Sequence, residues 1–103
     1  MEQLIPPTNL DGDGYLLSPY HWTPEVASVL AQQQGLETLS SEHWRIIHCL
    51  RDYYLEFGIP PPVNMLCKET GLTLRQIYNL FPAGLNNSAI KLAGLPKPSG
   101  LYP

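Results

Sequence analysis

The stretch SSEHWRIIHCLRDYYLEFGIPPP, residues 40–62, constrains the chain more than any other. Ile46, Ile47, Leu50, Tyr53, Tyr54 and Phe57 recur at helical spacing on one broad arc, with Arg45, Asp52 and Glu56 on the other side. Ser40 offers a side-chain oxygen to the first turn, and Glu42 sits where the helix dipole favours an acid. Gly58 permits a left-handed stop, and Pro60, Pro61 and Pro62 forbid continuation. The spacing therefore predicts a central helix over residues 41–57, with the aromatic residues of its arc in the core.

Similar punctuation divides the rest of the chain. Thr23, Pro24 and Glu25 start a helix over residues 23–34, with Val26, Val29 and Leu30 as its buried stripe and Gly35 as its stop. Residues 62–81 read as a helix, a short turn at Gly71, and a second helix capped by Thr73, in the outline of a helix-turn-helix. Val63, Leu66 and Cys67 would pack there on Leu74, Ile77, Tyr78 and Phe81. After Phe81-Pro82-Ala83-Gly84, residues 85–93 form a last short helix. At the other end, Asp11-Gly12-Asp13-Gly14 supplies a tight turn. It would close a β-hairpin with Leu4–Ile5 or Leu10 on one side and Tyr15–Leu17 on the other. The expected fold is α+β and mostly helical: an N-terminal β-hairpin, about five helices including the helix-turn-helix-like pair, and an extended C-terminal arm. The division is a domain over residues 1–93 and an arm over 94–103.

Charge is segregated along the chain. Residues 1–44 hold six acids and no Lys or Arg, whereas residues 70–103 hold Arg75, Lys91 and Lys97 and no acid. Three cations are too few for strong phosphate-driven binding but suit an acidic protein surface. The first ten residues, MEQLIPPTNL, have no basic flank or apolar run, and no stretch approaches the ~20 apolar residues of a membrane span. A cytoplasmic protein without membrane contact is expected.

Few constellations support chemistry. The DGDG turn lacks the later acidic ligands of a calcium loop. His43 and His48, five apart on one helix, point in different directions and predict no metal site. No cofactor motif is present. Of the two cysteines, Cys67 lies on an inner helix face, and Cys49, at the edge of the apolar arc near Arg45, is the better candidate for a reactive thiol. Arg75, Gln76 and Asn79 would be exposed on the second helix of the pair, where repressors read bases. A chain of pI ≈ 5.4 without a basic cluster beside that helix lacks the usual DNA-binding footprint.

Core packing does not call for an ending like AGLPKPSGLYP, and together with three other segments it resembles the DsrC/TusE family of small sulfur-relay proteins. DGDGYLLSPYHWTPEVA resembles the family's hairpin and first helix, and LSSEHWRIIHCLRDYYLEFGIPPPVNML its central helix and proline turn. CKETGLTLRQIYNLFPAG resembles its helix pair, in the form of the sulfite-reductase branch, and KLAGLPKPSG its arm. The resemblance spans roughly residues 9–100. It implies a mobile arm that inserts into a partner enzyme and carries sulfur on a penultimate cysteine after the PKPxG turn. Sulfite-reductase-type members have a second cysteine before the Lys of the xKxAGLPKP run.

Those two positions here hold Leu101 and Ile90, and Asn87 stands where a Lys is common. Neither Leu nor Ile can form a persulfide. The resemblance thus implies a non-catalytic, non-enzymatic DsrC-like protein that binds a sulfite reductase or sulfurtransferase-type partner. Its contacts would be Lys91, Leu95, Pro96, Lys97, Pro98, Leu101 and Tyr102. Two alternatives stand beside it: a sulfur carrier whose thiol has moved to Cys49 or Cys67, and a DNA-binding regulator using Arg75, Gln76 and Asn79. Oligomeric state is left open by the sequence.

Overall fold

The computed structural model describes residues 10, 12, 14–16 and 19–96. A single turn of 3-10 helix, Pro19–His21, leads into helix α1, Pro24–Gln33. Then follow α2, Ser41–Phe57, α3, Val63–Thr70, and α4, Leu74–Leu80. A π-helical turn, Leu85–Ala89, runs directly into the short α5, Ile90–Leu92. Among the described residues the β content is one antiparallel bridge, Leu10 to Leu16. The expected hairpin partners Leu4, Ile5 and Leu17 lie outside the described residues, as do Lys97, Pro98, Leu101 and Tyr102.

The helix boundaries follow local chemistry. Thr23 accepts a bond from the Val26 N–H at 3.1 Å, and Pro24 occupies the first helical position. Ser40 and His43 cap α2 reciprocally: the His43 N–H donates to Ser40 Oγ at 3.3 Å, and the Ser40 N–H donates to His43 Nδ1 at 3.0 Å. An imidazole here does the work that Glu or Gln does in the usual capping box. With Nδ1 accepting, the ring hydrogen lies on Nε2, which donates to the Leu80 carbonyl at 2.9 Å and so ties the start of α2 to the end of α4. Gly58, at φ +78, ends α2.

Helix α2 is the central element, packed against α3, α4 and α5, while α1 packs on α5. Ile46, Ile47 and Leu50 are fully buried with Leu66, Ile77, Phe81, Leu85, Ile90 and Leu92. Three core expectations are corrected. Phe57 is 58 % exposed, because it ends α2 beyond the reach of the core and lies tilted against Tyr53 with ring centroids 4.6 Å apart. Leu74, the first residue of α4, is exposed. Leu72 in the preceding turn enters the core in its place, its N–H bonded to the buried Thr70 Oγ1 at 3.3 Å. Val26 is only partly buried, and the inner stripe of α1 is Ala27, Val29, Leu30 and Ala31.

The expected helix over 85–93 is continuous but opens with a π-helical turn. Such turns concentrate at functional sites. Ser88 within it is buried and its hydroxyl donates to the Gln34 side-chain oxygen at the end of α1. Because Ser40 and His43 satisfy two orphan donors and hold a second helix end, His43→Ala should lower stability by ~1–2 kcal/mol. Urea unfolding should show the loss as a lower midpoint at unchanged slope.

Candidate functional site

The chain leaving α5 does not start as a free tail. Gly94, at φ +74, reverses it. Its N–H donates to the Lys91 carbonyl at 3.1 Å, and the Leu95 N–H to the Ile90 carbonyl at 3.2 Å, the paired bonds of a Schellman turn. The Trp22 indole lies directly on this glycine. A Cβ at position 94 would overlap Trp22 Cδ1. The indole Nε1–H donates to the Leu92 carbonyl at 2.7 Å. The Arg51 guanidinium stands over the Trp22 ring, 4.3 Å from its centroid, and its Nη1 donates to the Ala93 carbonyl at 2.9 Å. Two consecutive carbonyls at the end of α5 are thus held by side chains from distant parts of the chain. Burial lowers the Arg51 pKa from its ordinary value, with Asp52 opposing the shift. The guanidinium remains the charged donor of this latch.

The expected contact residues separate here. Leu95 is fully buried, so it belongs to the core and not to an exposed contact surface. The reason is the Schellman turn, which folds the residue after Gly94 back against Ile90. Ile90 is itself fully buried. Lys91 is half-buried and reaches toward the N-terminal turn, its ammonium 5.0 Å from the Tyr15 ring centroid and 3.5 Å from where a Gly14 Cβ would stand. Pro96 is partly buried and is the last described residue. Trp22, Arg51 and Leu72 were not singled out from sequence, and Gly94 was read only as the freely bending start of the arm. The pairs Trp22 with Leu92 and Arg51 with Ala93 are 70 and 42 residues apart, beyond any local pattern. An Arg on the central helix and the Gly of LAGLP were the signals available.

The thiols are on the other side of α2. Cys49 and Cys67 are both free and partly buried. Burial pushes the Cys49 thiol up from its ordinary value, and the carboxylates of Glu69 and Asp52 push it further in the same direction. Arg45, the cation expected to activate it, donates to the Thr70 carbonyl at 3.1 Å and caps the end of α3. This environment favours neutral thiol and opposes thiolate chemistry. On the helix pair, Arg75, Gln76 and Asn79 are exposed as expected. Gln76 is committed to its own helix: its Oε1 accepts from the Thr73 N–H at 2.8 Å. His43 and His48 do diverge, the first toward Leu80 and Phe81, the second stacked on Trp44 with centroids 5.8 Å apart. Among the described residues, no group of three His, Cys, Asp or Glu is placed to hold a metal, and no helix is long and apolar enough to cross a membrane.

This is a small helical domain organised around a pinned C-terminal exit, and the comparisons with known proteins agree with that class. A family model described as "DsrC like protein" matches residues 6–101. The chain is 44% identical over 91 residues to the dissimilatory-type sulfite reductase subunit gamma of Nitratidesulfovibrio vulgaris, covering 88% of this chain and 87% of that one. It is 41% identical over 95 residues to the sulfurtransferase TusE of Escherichia coli K12, covering 85% and 86%. The crystal structure of the oxidized gamma-subunit of the dissimilatory sulfite reductase (DsrC) from Archaeoglobus fulgidus superposes with a TM-score of 0.78 at 44% identity, over 88% of this chain and 89% of that one. The chain belongs to the DsrC/TusE family.

Three outcomes follow from this geometry. Gly94→Ala and Gly58→Ala share the cost of a positive φ, but only the first drives a methyl into an indole. Gly94→Ala should therefore be the more destabilising by ~1–3 kcal/mol in urea unfolding. Leu95→Ala should cost the free protein ~2–5 kcal/mol, as for a core leucine. For Cys49, iodoacetamide alkylation of the native protein should become fast only above pH 9.0, the ordinary thiol value. Since its folded-state pKa is raised, the stability linked to this thiol is present at neutral pH and lost as pH rises past that value. Asp52→Asn with Glu69→Gln should move the alkylation profile to lower pH without restoring an ordinary thiol, because burial is the larger cause.

Proposed function

We propose that this chain is a DsrC-like binding subunit that engages a sulfite reductase or sulfurtransferase-type partner through its C-terminal arm without carrying sulfur. The observation behind this reading is that no cysteine follows Cys67 in the chain. At the two positions where the family resemblance implies thiols stand Ile90 and Leu101. The burial of Ile90 supports it, since an apolar side chain there is part of the packed interior. So does the raised pKa of Cys49, which argues against a thiol relocated to α2.

The working arm on this reading is shorter than residues 94–103. Leu95 serves the fold, and the partner contacts are Lys91, Pro96, Lys97, Pro98, Leu101 and Tyr102. Leu101 and Tyr102 would occupy the channel that a cysteine-bearing arm enters, and Lys91 and Lys97 would face acidic or anionic groups. Such a protein competes with its thiol-bearing relatives or regulates the enzyme they serve.

The test uses a purified dissimilatory sulfite reductase freed of its gamma subunit. Full-length chain and a version ending at Pro96, which spares Leu95, are compared for binding and for competition with the Nitratidesulfovibrio vulgaris gamma subunit. Binding that weakens at least ~10-fold on truncation, about 1.4 kcal/mol, with competition and no sulfur adduct by intact mass after incubation with a persulfide donor, is the expected result. Sulfur loaded onto Cys49 or Cys67 would instead establish a carrier, and absence of binding by either version would end the proposal. Leu101→Cys should gain a sulfur adduct in the same assay while keeping the affinity.

A further inference from the structure

A second surface lies on α2, away from the arm. Helix α2 turns 100° per residue, so the groove-lining positions 49, 52, 53 and 56 centre roughly 150° around the helix from Arg51, which holds the arm base. Between this face and α3 runs an open groove of about 590 Å³. Its walls are ridges of side chains four residues apart: His48, Asp52 and Glu56 along one edge of α2, and Met65 and Glu69 along α3. Its floor holds Cys49, Tyr53 and the largely exposed Phe57. Parallel ridges at this spacing are what another helix packs into. Aromatic side chains so placed on a small domain mark an interaction surface.

The rim specifies the occupant. Asp52, Glu56 and Glu69 are exposed carboxylates, and the groove's guanidinium, Arg45, is directed at the Thr70 carbonyl. We propose that the α2–α3 groove docks an amphipathic helix of a partner protein, with apolar residues on its inner stripe and Lys or Arg along the edges. Leu or Met side chains would cover Tyr53, Phe57 and Met65, and the cations would meet the three carboxylates. This is the helix-in-groove mode, with register set by charge. The surface does not depend on the arm, so both can be occupied at once, and failure of one leaves the other standing.

The probe is a fluorescein-tagged helical peptide of about 14 residues, some four turns, with leucines along one stripe and lysines on both flanks. Its counterpart has every lysine replaced by glutamate. Against the full-length protein, the lysine peptide should bind, protect Cys49 from alkylation, and shift backbone amide resonances of α2 and α3. Asp52→Asn/Glu56→Gln/Glu69→Gln, three exposed changes, should weaken it at least ~10-fold, and so should raising salt from low ionic strength to ~0.5 M. Phe57→Ser should weaken it without altering charge. The glutamate peptide should not bind. Equal affinity for the triple variant, shifts confined to other elements, no binding of the lysine peptide, or sedimentation showing a second copy of this chain already seated on the groove would each overturn the proposal.

Discussion

The Trp22 indole resting on Gly94 is the contact on which the C-terminal part of the molecule depends. Only a glycine fits beneath it, because the backbone there needs a positive φ and because a Cβ would overlap the ring. The same indole donates to Leu92, and Arg51 stands over the ring while donating to Ala93. Orphan carbonyls at a helix end are costly unless they find donors. Here two of them are satisfied by side chains that also close the core over Ile90, Leu92 and Leu95. A three-residue α5 has no stability of its own. It persists because this latch and the π-helical turn before it attach it to α1 and α2.

That arrangement bears on how an arm is presented. A tail hinged at Gly94 would lose entropy over all of its length on insertion into a partner. On the proposed reading, an arm whose base is already immobilised as far as Leu95 loses less, the advantage of pre-organisation. On the proposed reading, the scaffold that positions a sulfur-carrying arm is retained where the thiols are absent, because Trp22, Arg51 and Gly94 act on backbone carbonyls and not on the cysteines. Ile90, which that reading sets at a thiol position, is part of the buried core, so packing constrains its side chain independently of any reaction.

The caps and stops were legible because they are local. Thr23, Ser40 and Thr73 act within three residues of themselves, and Gly35 and Gly58 within the final turn of their helices. The family, too, was legible, since it is carried by contiguous segments. Burial was read less well. Phe57 shares its periodicity with Ile46 and Leu50, yet at the end of α2 it is left largely exposed. Leu72 falls in a turn where no period applies, and the hydroxyl of Thr70 draws it inward. Leu95 looked like part of the tail because Pro and Gly surround it, and only the reversal at Gly94 shows that it points back into the core.

From the sequence alone came the number and order of helices, their ends, the charge segregation, and the absence of any cysteine after Cys67. Each of these is a property of neighbouring residues or of composition. The tertiary structure alone decided that Trp22, Arg51 and Gly94 form one latch, that burial, helped by two nearby carboxylates, raises the Cys49 thiol pKa, and that α2 and α3 leave an acid-rimmed groove between them. These depend on groups brought together from 20 to 70 residues apart, as in Cys49 with Glu69 and Trp22 with Leu92. Such encounters follow from how amphipathic faces pack against each other, and a one-dimensional pattern carries the faces without the pairing.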